Sequence, residues 1–240
     1  MKEIKVLSYT VFTILYIQLL FPSDTIVITN MHGEVKVRHG IEETWEPAMI
    51  GMKLKEIDTI LILEGEVTLR INNKMDFKLV SHSILDIGDL RHISKRELFL
   101  FLMSQKIEKM DARKESTKLR IGNVSVVHGE SKSRSKQIKG EFDRFRFDQE
   151  MNGAKALYSY NFFTNTIVSL YKTLNKYNNH TCPGELYFLL GKSFEMLDEP
   201  GQAVDNFQKA IECAKEKERT NNISWLEEAR EAVNSLKDKE

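Results

Sequence analysis

From Thr25 to about His128, apolar and polar positions alternate in short runs or gather into β-branched stretches. The runs are Ile26–Thr29, Glu34–Val37, Thr59–Leu63, Val67–Ile71, Phe77–Val80, Leu98–Leu102, Leu119–Ile121 and Val124–Val127. A period of two in short segments, broken by turn formers such as His39-Gly40 and Asn72-Asn73, predicts β-strands joined by tight turns. The runs follow one another too closely for crossover helices, which excludes a doubly wound parallel sheet. The expectation for residues 25–129 is an all-β domain of short strands, sandwich or solenoid-like.

Residues 130–141, beginning Glu-Ser-Lys-Ser-Arg-Ser-Lys, have almost nothing to bury and read as a linker. Beyond it the period changes. Ala154, Leu157 and Tyr158, then Ile167, Leu170, Tyr171, Leu174 and Tyr177, recur every three or four positions. That spacing predicts helices near Phe147–Tyr160 and Phe163–Tyr177. Pro183 suits the first turn of a helix running to about Leu197, because its missing N–H is not needed there. Asp198-Glu-Pro-Gly201 reads as a turn, and the next helix extends to about Lys217. Ser224 with Glu227 forms a capping-box signature, so a last helix follows with Trp225, Ala229, Ala232, Val233 and Leu236 on one face. The domain over 142–240 is therefore helical.

The first residues differ from both regions. Lys2 and Lys5 precede an apolar run from Val6 to Phe21, and Pro22-Ser-Asp24 ends it. A short positive region followed by a short apolar one reads as a signal peptide over 1–24, with retention as an N-terminal anchor as the alternative. The run is marginal for a span, which needs about 20 apolar residues. The 240 residues suffice for about two small domains, and a 41% hydrophobic content supports packed cores. The 35 basic and 35 acidic residues balance, so no global field favours nucleic acid or an anionic membrane.

Tyr187, Leu190, Gly191, Phe194, Ala203, Phe207 and Ala210 fall at the spacings of a tetratricopeptide repeat, and the chain from Tyr187 to Ala210 resembles that family. The resemblance implies two antiparallel helices with Gly191 and Ala203 at their closest approach and Phe194 and Phe207 packed around them. Residues 147–177 would be a degenerate first repeat lacking the diagnostic glycine and alanines, and the last helix would cap the array. By the family's register, Glu185, Phe188, Lys192, Glu195 and Met196 would face the partner-binding groove, unless a neighbouring helix or the β unit covers them. The same register sets Cys182 just before the first helix and Cys213 near the end of the second. Outside the cytosol these could pair as a disulfide; otherwise they are two independent buried thiols.

Gly33-Glu-Val-Lys-Val37, Trp45-x-Pro47, Gly51-Met-Lys-Leu54 and Ile57-Asp-Thr-Ile60 resemble the β domain of the ferric-citrate regulator (FecR) family, a likeness covering about Ile26 to Gly129. On physical grounds Gly51 and Asp58 are turn formers, and Trp45, Leu54, Ile57 and Ile60 are expected in the core. The resemblance implies an envelope-located β module. The six histidines have no metal-ligand spacing, and His39 reads as a solvated edge residue. No nucleophile elbow, phosphate loop or dinucleotide fingerprint occurs. The expectation is a non-enzymatic interaction or scaffold protein of the cell envelope, periplasmic or envelope-associated, with protein partners and without cofactor, metal or nucleic acid. The alternatives are a sensory component of FecR-type signalling and an envelope polysaccharide-acting enzyme.

Overall fold

The computed structural model describes residues 25–113, 143–177, 182–216 and 224–237. The signal or anchor segment at 1–24, the linker at 130–141 and the strands expected at 119–121 and 124–127 lie outside the described residues. The chain is mixed β plus α. An antiparallel sheet of six strands precedes six described α-helices. Two compact units form, one within Met1–Ser81 and Asp86–Arg91, the other within His82–Leu85 and His92–Glu240.

Two long strands, β1 (Ile26–Arg38) and β4 (Thr59–Ile71), are the spine of the sheet. The shorter strands are β2 (Glu46–Pro47), β3 (Lys53–Leu54), β5 (Met75–Val80) and β6 (Ser83–Asp86). The order is β2-β1-β4-β5, with β3 also paired to β1. Pairs of runs that read as separate strands are halves of single ones: 26–29 with 34–37 in β1, and 59–63 with 67–71 in β4. The interrupting Gly33 and Gly65 face each other across the ladder, both at φ 88°. A side chain on Gly33 would strike the Glu64 carbonyl, and one on Gly65 the His32 carbonyl. Register shifts at Ile28/Asn30 and Glu34/Val35 accompany this crossing. They change which alternate residues face inward: Ile26 and Ile28 before, Val35 and Val37 after. On β4 the buried set likewise moves from Ile60 and Ile62 to Val67, Leu69 and Ile71.

Asn72 and Asn73 adopt left-handed backbone angles, as a type I′ hairpin between β4 and β5 requires. Leu54 and Ile60 are buried. Ile57 is not in the core as expected, being 69% exposed. Asp58 takes the inward position of that turn, accepting from the Lys55 N–H at 2.8 Å and the Gly40 N–H at 3.3 Å. Ile57 instead lies over Gly40. Trp45 is only half-buried, with the Arg38 guanidinium 5.3 Å above its ring.

The helical unit contains α1 (Lys95–Arg113), α2 (Arg144–Ser159), α3 (Phe163–Tyr177), α4 (Gly184–Met196), α5 (Pro200–Glu216) and α6 (Ser224–Lys237). The expected strand at Leu98–Leu102 is instead part of α1. Ser94 and Glu97 close a reciprocal capping box: the Glu97 N–H donates to Ser94 Oγ at 3.2 Å, and the Ser94 N–H to Glu97 Oε2 at 3.1 Å. Leucine and phenylalanine are tolerated in helices, so the cap decides the matter. Pro200 and Gly201, expected in the turn, open α5.

Ala154, Ile167, Leu170, Leu190, Phe194, Ala203, Phe207 and Ala229 are completely buried in one core. Gly191 lets α4 and α5 close: a Cβ there would stand 2.6 Å from the Phe207 ring. Cys182, just before α4, is bonded to Cys213 in the last turn of α5, with Cα atoms 5.2 Å apart. The bond closes a ring of sequence separation 31. Replacing both cysteines with serine is expected to lower the helical unit's unfolding free energy by about 3–4 kcal/mol. Urea denaturation monitored by helical ellipticity checks this, and an unchanged midpoint would mean that the bond adds nothing.

Candidate functional site

The central helix α4 has α2 on one side and α6 on the other, and the groove residues expected from the sequence meet both. Glu185 Oε1 pairs with Lys155 Nζ of α2 at 2.6 Å. Phe188 stacks on Trp225 of α6, centroids 5.8 Å apart and planes 27° from parallel. Its other neighbour is Phe207, at 5.9 Å. Lys192 Nζ donates to Glu228 Oε1 of α6 at 2.8 Å and lies 3.8 Å from Glu195 Oε2. Met196, at the end of α4, is exposed.

Helical periodicity explains the grouping. Positions 185, 188, 192, 195 and 196 are three, four, three and one apart, so they share one stripe while Leu186, Leu190, Gly191 and Phe194 turn into the core. The Ser224 start sets Trp225 in the first turn of α6, where its ring also covers Gly184. Gly184 has no room for a side chain there, since a Cβ would stand 2.6 Å from the indole edge.

The electrostatics join three helices. The hydrogen bond that Lys192 donates to Glu228 is the main reason that its ammonium is held above its ordinary pKa, against partial burial. Burial pushes the Tyr158 hydroxyl of α2 up, Glu195 and Glu228 add to that, and Lys192 opposes it. Tyr158, Lys192, Glu195 and Glu228 therefore share one local field. Exposed pairs of this kind add little stability, typically below about 1 kcal/mol. Their use is to fix which charge stands where on a surface that a ligand could read.

Four members of this surface were outside the sequence reading of the groove: Lys155, Tyr158, Trp225 and Glu228. Tyr158 and Trp225 carry the helical periodicity that places their helices, but nothing local says that α2 and α6 flank α4. Among the described residues no group of three or more His, Cys, Asp or Glu side chains is placed to hold a metal ion. No described helix is long and apolar enough to cross a membrane. The chain matches no family model, no curated protein and no solved structure.

Proposed function

We propose that this chain is a non-enzymatic interaction protein of the cell envelope. Its helical unit is a tetratricopeptide-type docking module, and its FecR-like β unit binds a second envelope component or serves as a scaffold. The observation that carries the reading is the shared face of α2, α4 and α6, where Tyr158, Lys192, Glu195 and Glu228 converge and Phe188 stacks on Trp225. In a helical repeat the first helices of successive hairpins line one surface, and a partner is bound there.

Repetition in the backbone supports it. The first hairpin closes with Phe162 N–H to the Leu157 carbonyl, Asn161 N–H to that of Tyr158 and Thr166 N–H to that of Phe162. The second closes with Glu199 to Phe194, Asp198 to Glu195 and Ala203 to Glu199, at the same offset in every case. Asn161 and Asp198 are both left-handed. By that offset Ala154 occupies the place of Gly191 and Thr166 that of Ala203, and all four are buried. Small side chains at these places let paired helices approach. The Cys182–Cys213 bond supports an oxidising, exported setting.

Photo-crosslinking in the source cell tests the proposal. A benzophenone side chain replaces either Met196 on the α4 stripe or Glu212 on α5, in the full chain. The expected result is a protein adduct of defined mass in the envelope fraction, formed from position 196 and not from 212. Adducts formed equally from both positions, or only in the cytosolic fraction, would defeat it.

A further inference from the structure

The middle of α1, Leu98-Phe-Leu-Phe-Leu-Met103, is an unbroken apolar run. At about 3.6 residues per turn, such a run reaches every side of the helix. The inner side is used by the core of the helical unit. Leu98 is buried in that core, and Phe101 and Leu102 pack against it. The Phe101 ring meets Tyr171 of α3 edge-on, with centroids 6.3 Å apart. The outer side is Phe99, Leu100 and Met103, which are 56%, 57% and 39% exposed. A helix that is apolar all round ordinarily lies between two apolar bodies. The described residues supply one of them. Where Leu98, Phe99 and Leu102 meet Phe194 and Leu197, a pocket of about 60 Å3 extends the apolar surface from Phe99 toward α4.

Charge indicates what the second body is. Lys95 and Arg96 precede the patch and Lys106 follows it, all three exposed. Lys95 Nζ donates to the Leu197 carbonyl at 3.4 Å. Glu97, the acidic residue beside them, is engaged in the Ser94 cap. Arg96, Phe99, Met103 and Lys106 follow one another at helical spacing, so they form one stripe, basic at both ends and apolar between. From Arg96 to Lys106 the helix rises about 15 Å. A plane of lipid phosphates meets both ends of such a stripe at once. The long basic side chains reach up to the headgroups while the apolar residues between them sink below. A protein partner would need an apolar hollow with an acidic group at each end, at that same spacing. The 35 basic and 35 acidic residues of the chain cancel, so the attraction is local to this stripe.

We infer that the outer face of α1 binds the surface of anionic bilayers. The helix lies in the headgroup plane, with Phe99, Leu100 and Met103 below the phosphates and Arg96 and Lys106 level with them. This goes beyond the docking function proposed above. It uses α1 and not the surface shared by α2, α4 and α6, and it does not depend on that reading.

A nitrobenzoxadiazole fluorophore on Met103→Cys of the full, oxidised chain is the test, with the same label on Glu212→Cys of α5 as the control. A local probe separates α1 from any membrane contact made elsewhere in the chain. Vesicles of phosphatidylglycerol with phosphatidylcholine are expected to brighten and blue-shift the label at 103 and to leave that at 212 unchanged. Phosphatidylcholine vesicles should move neither. Arg96→Gln with Lys106→Gln should raise the lipid concentration for a half-maximal change about 20–30-fold, since each basic residue near an anionic surface contributes about fivefold. Phe99→Ser with Leu100→Ser should raise it at least about tenfold with the charges intact. All four side chains are exposed, so these variants keep the fold. An unmoved signal at 103, an equal response to phosphatidylcholine vesicles, or equal movement at 103 and 212 would each overturn the inference. So would a change at 103 produced by lipid-free envelope proteins and not by vesicles, which would assign the face to a protein partner.

Discussion

Gly65→Ala is expected to lower the stability of the β unit by about 3–5 kcal/mol, a large part of the 5–15 kcal/mol that holds a typical domain. Two effects combine. The backbone at Gly65 is at φ 88°, a conformation that costs an L-residue about 1–2 kcal/mol. The new methyl would also strike the His32 carbonyl of the paired strand, which is backbone and cannot rotate aside. Gly51 separates the two: it has φ 86° but nothing within 4 Å of a built Cβ. Gly51→Ala should therefore cost only the dihedral strain, about 1–2 kcal/mol. Each unit holds one of the two tryptophans, Trp45 or Trp225. Urea unfolding followed by Trp45 fluorescence in a Trp225→Phe background reads the β unit alone. Equal losses for Gly51→Ala and Gly65→Ala would show that the close approach of β1 and β4 is not what Gly65 serves.

In the helical unit the sign of Gly191→Ala decides between two effects. Helix propensity alone predicts a gain of about 1 kcal/mol. Contact with Phe207, whose ring would stand 2.6 Å from the new Cβ, predicts a net loss of about 1–3 kcal/mol. Phe207→Ala, at a completely buried position, should cost about 3–5 kcal/mol by leaving a cavity. In that background Gly191→Ala should turn favourable, because the obstruction is gone and the methyl partly fills the space. The coupling between the two changes would then reach about 2 kcal/mol or more. Thermal or urea unfolding of the four-member cycle, read by helical ellipticity, measures it. Strict additivity would show that Gly191 and Phe207 do not meet.

The helices beyond residue 142 were legible because their signals are local. The recurrence of Ile167, Leu170, Tyr171 and Leu174 predicts α3 over the residues that form it. Ser224 and Glu227 mark the start of α6. Leu98–Leu102 misled because alternating leucine and phenylalanine suits either a strand or a buried helix. The deciding signal, Ser94 with Glu97, stands just before that run. In the β region the apolar runs were legible and their continuity was not. A glycine between two runs reads as a break, whereas here Gly33 and Gly65 are where two continuous strands cross most closely.

The candidate sites follow the same division. The α4 stripe was visible because residues three and four apart share a helix face whatever surrounds them. That Glu185 would meet Lys155, Phe188 would meet Trp225 and Lys192 would meet Glu228 was decided by tertiary packing of α2 and α6. His39 read alone as an edge residue, because Glu46 and Asp58 reach it only through strand pairing and a turn. Sequence by itself determined the order of β and helical regions, the helix faces and the turn formers. These depend on periodicities and backbone preferences acting over a few residues. Tertiary structure decided which strand halves join, which glycines are sterically required and which charges meet. Those depend on distances between segments that only the packed chain brings together.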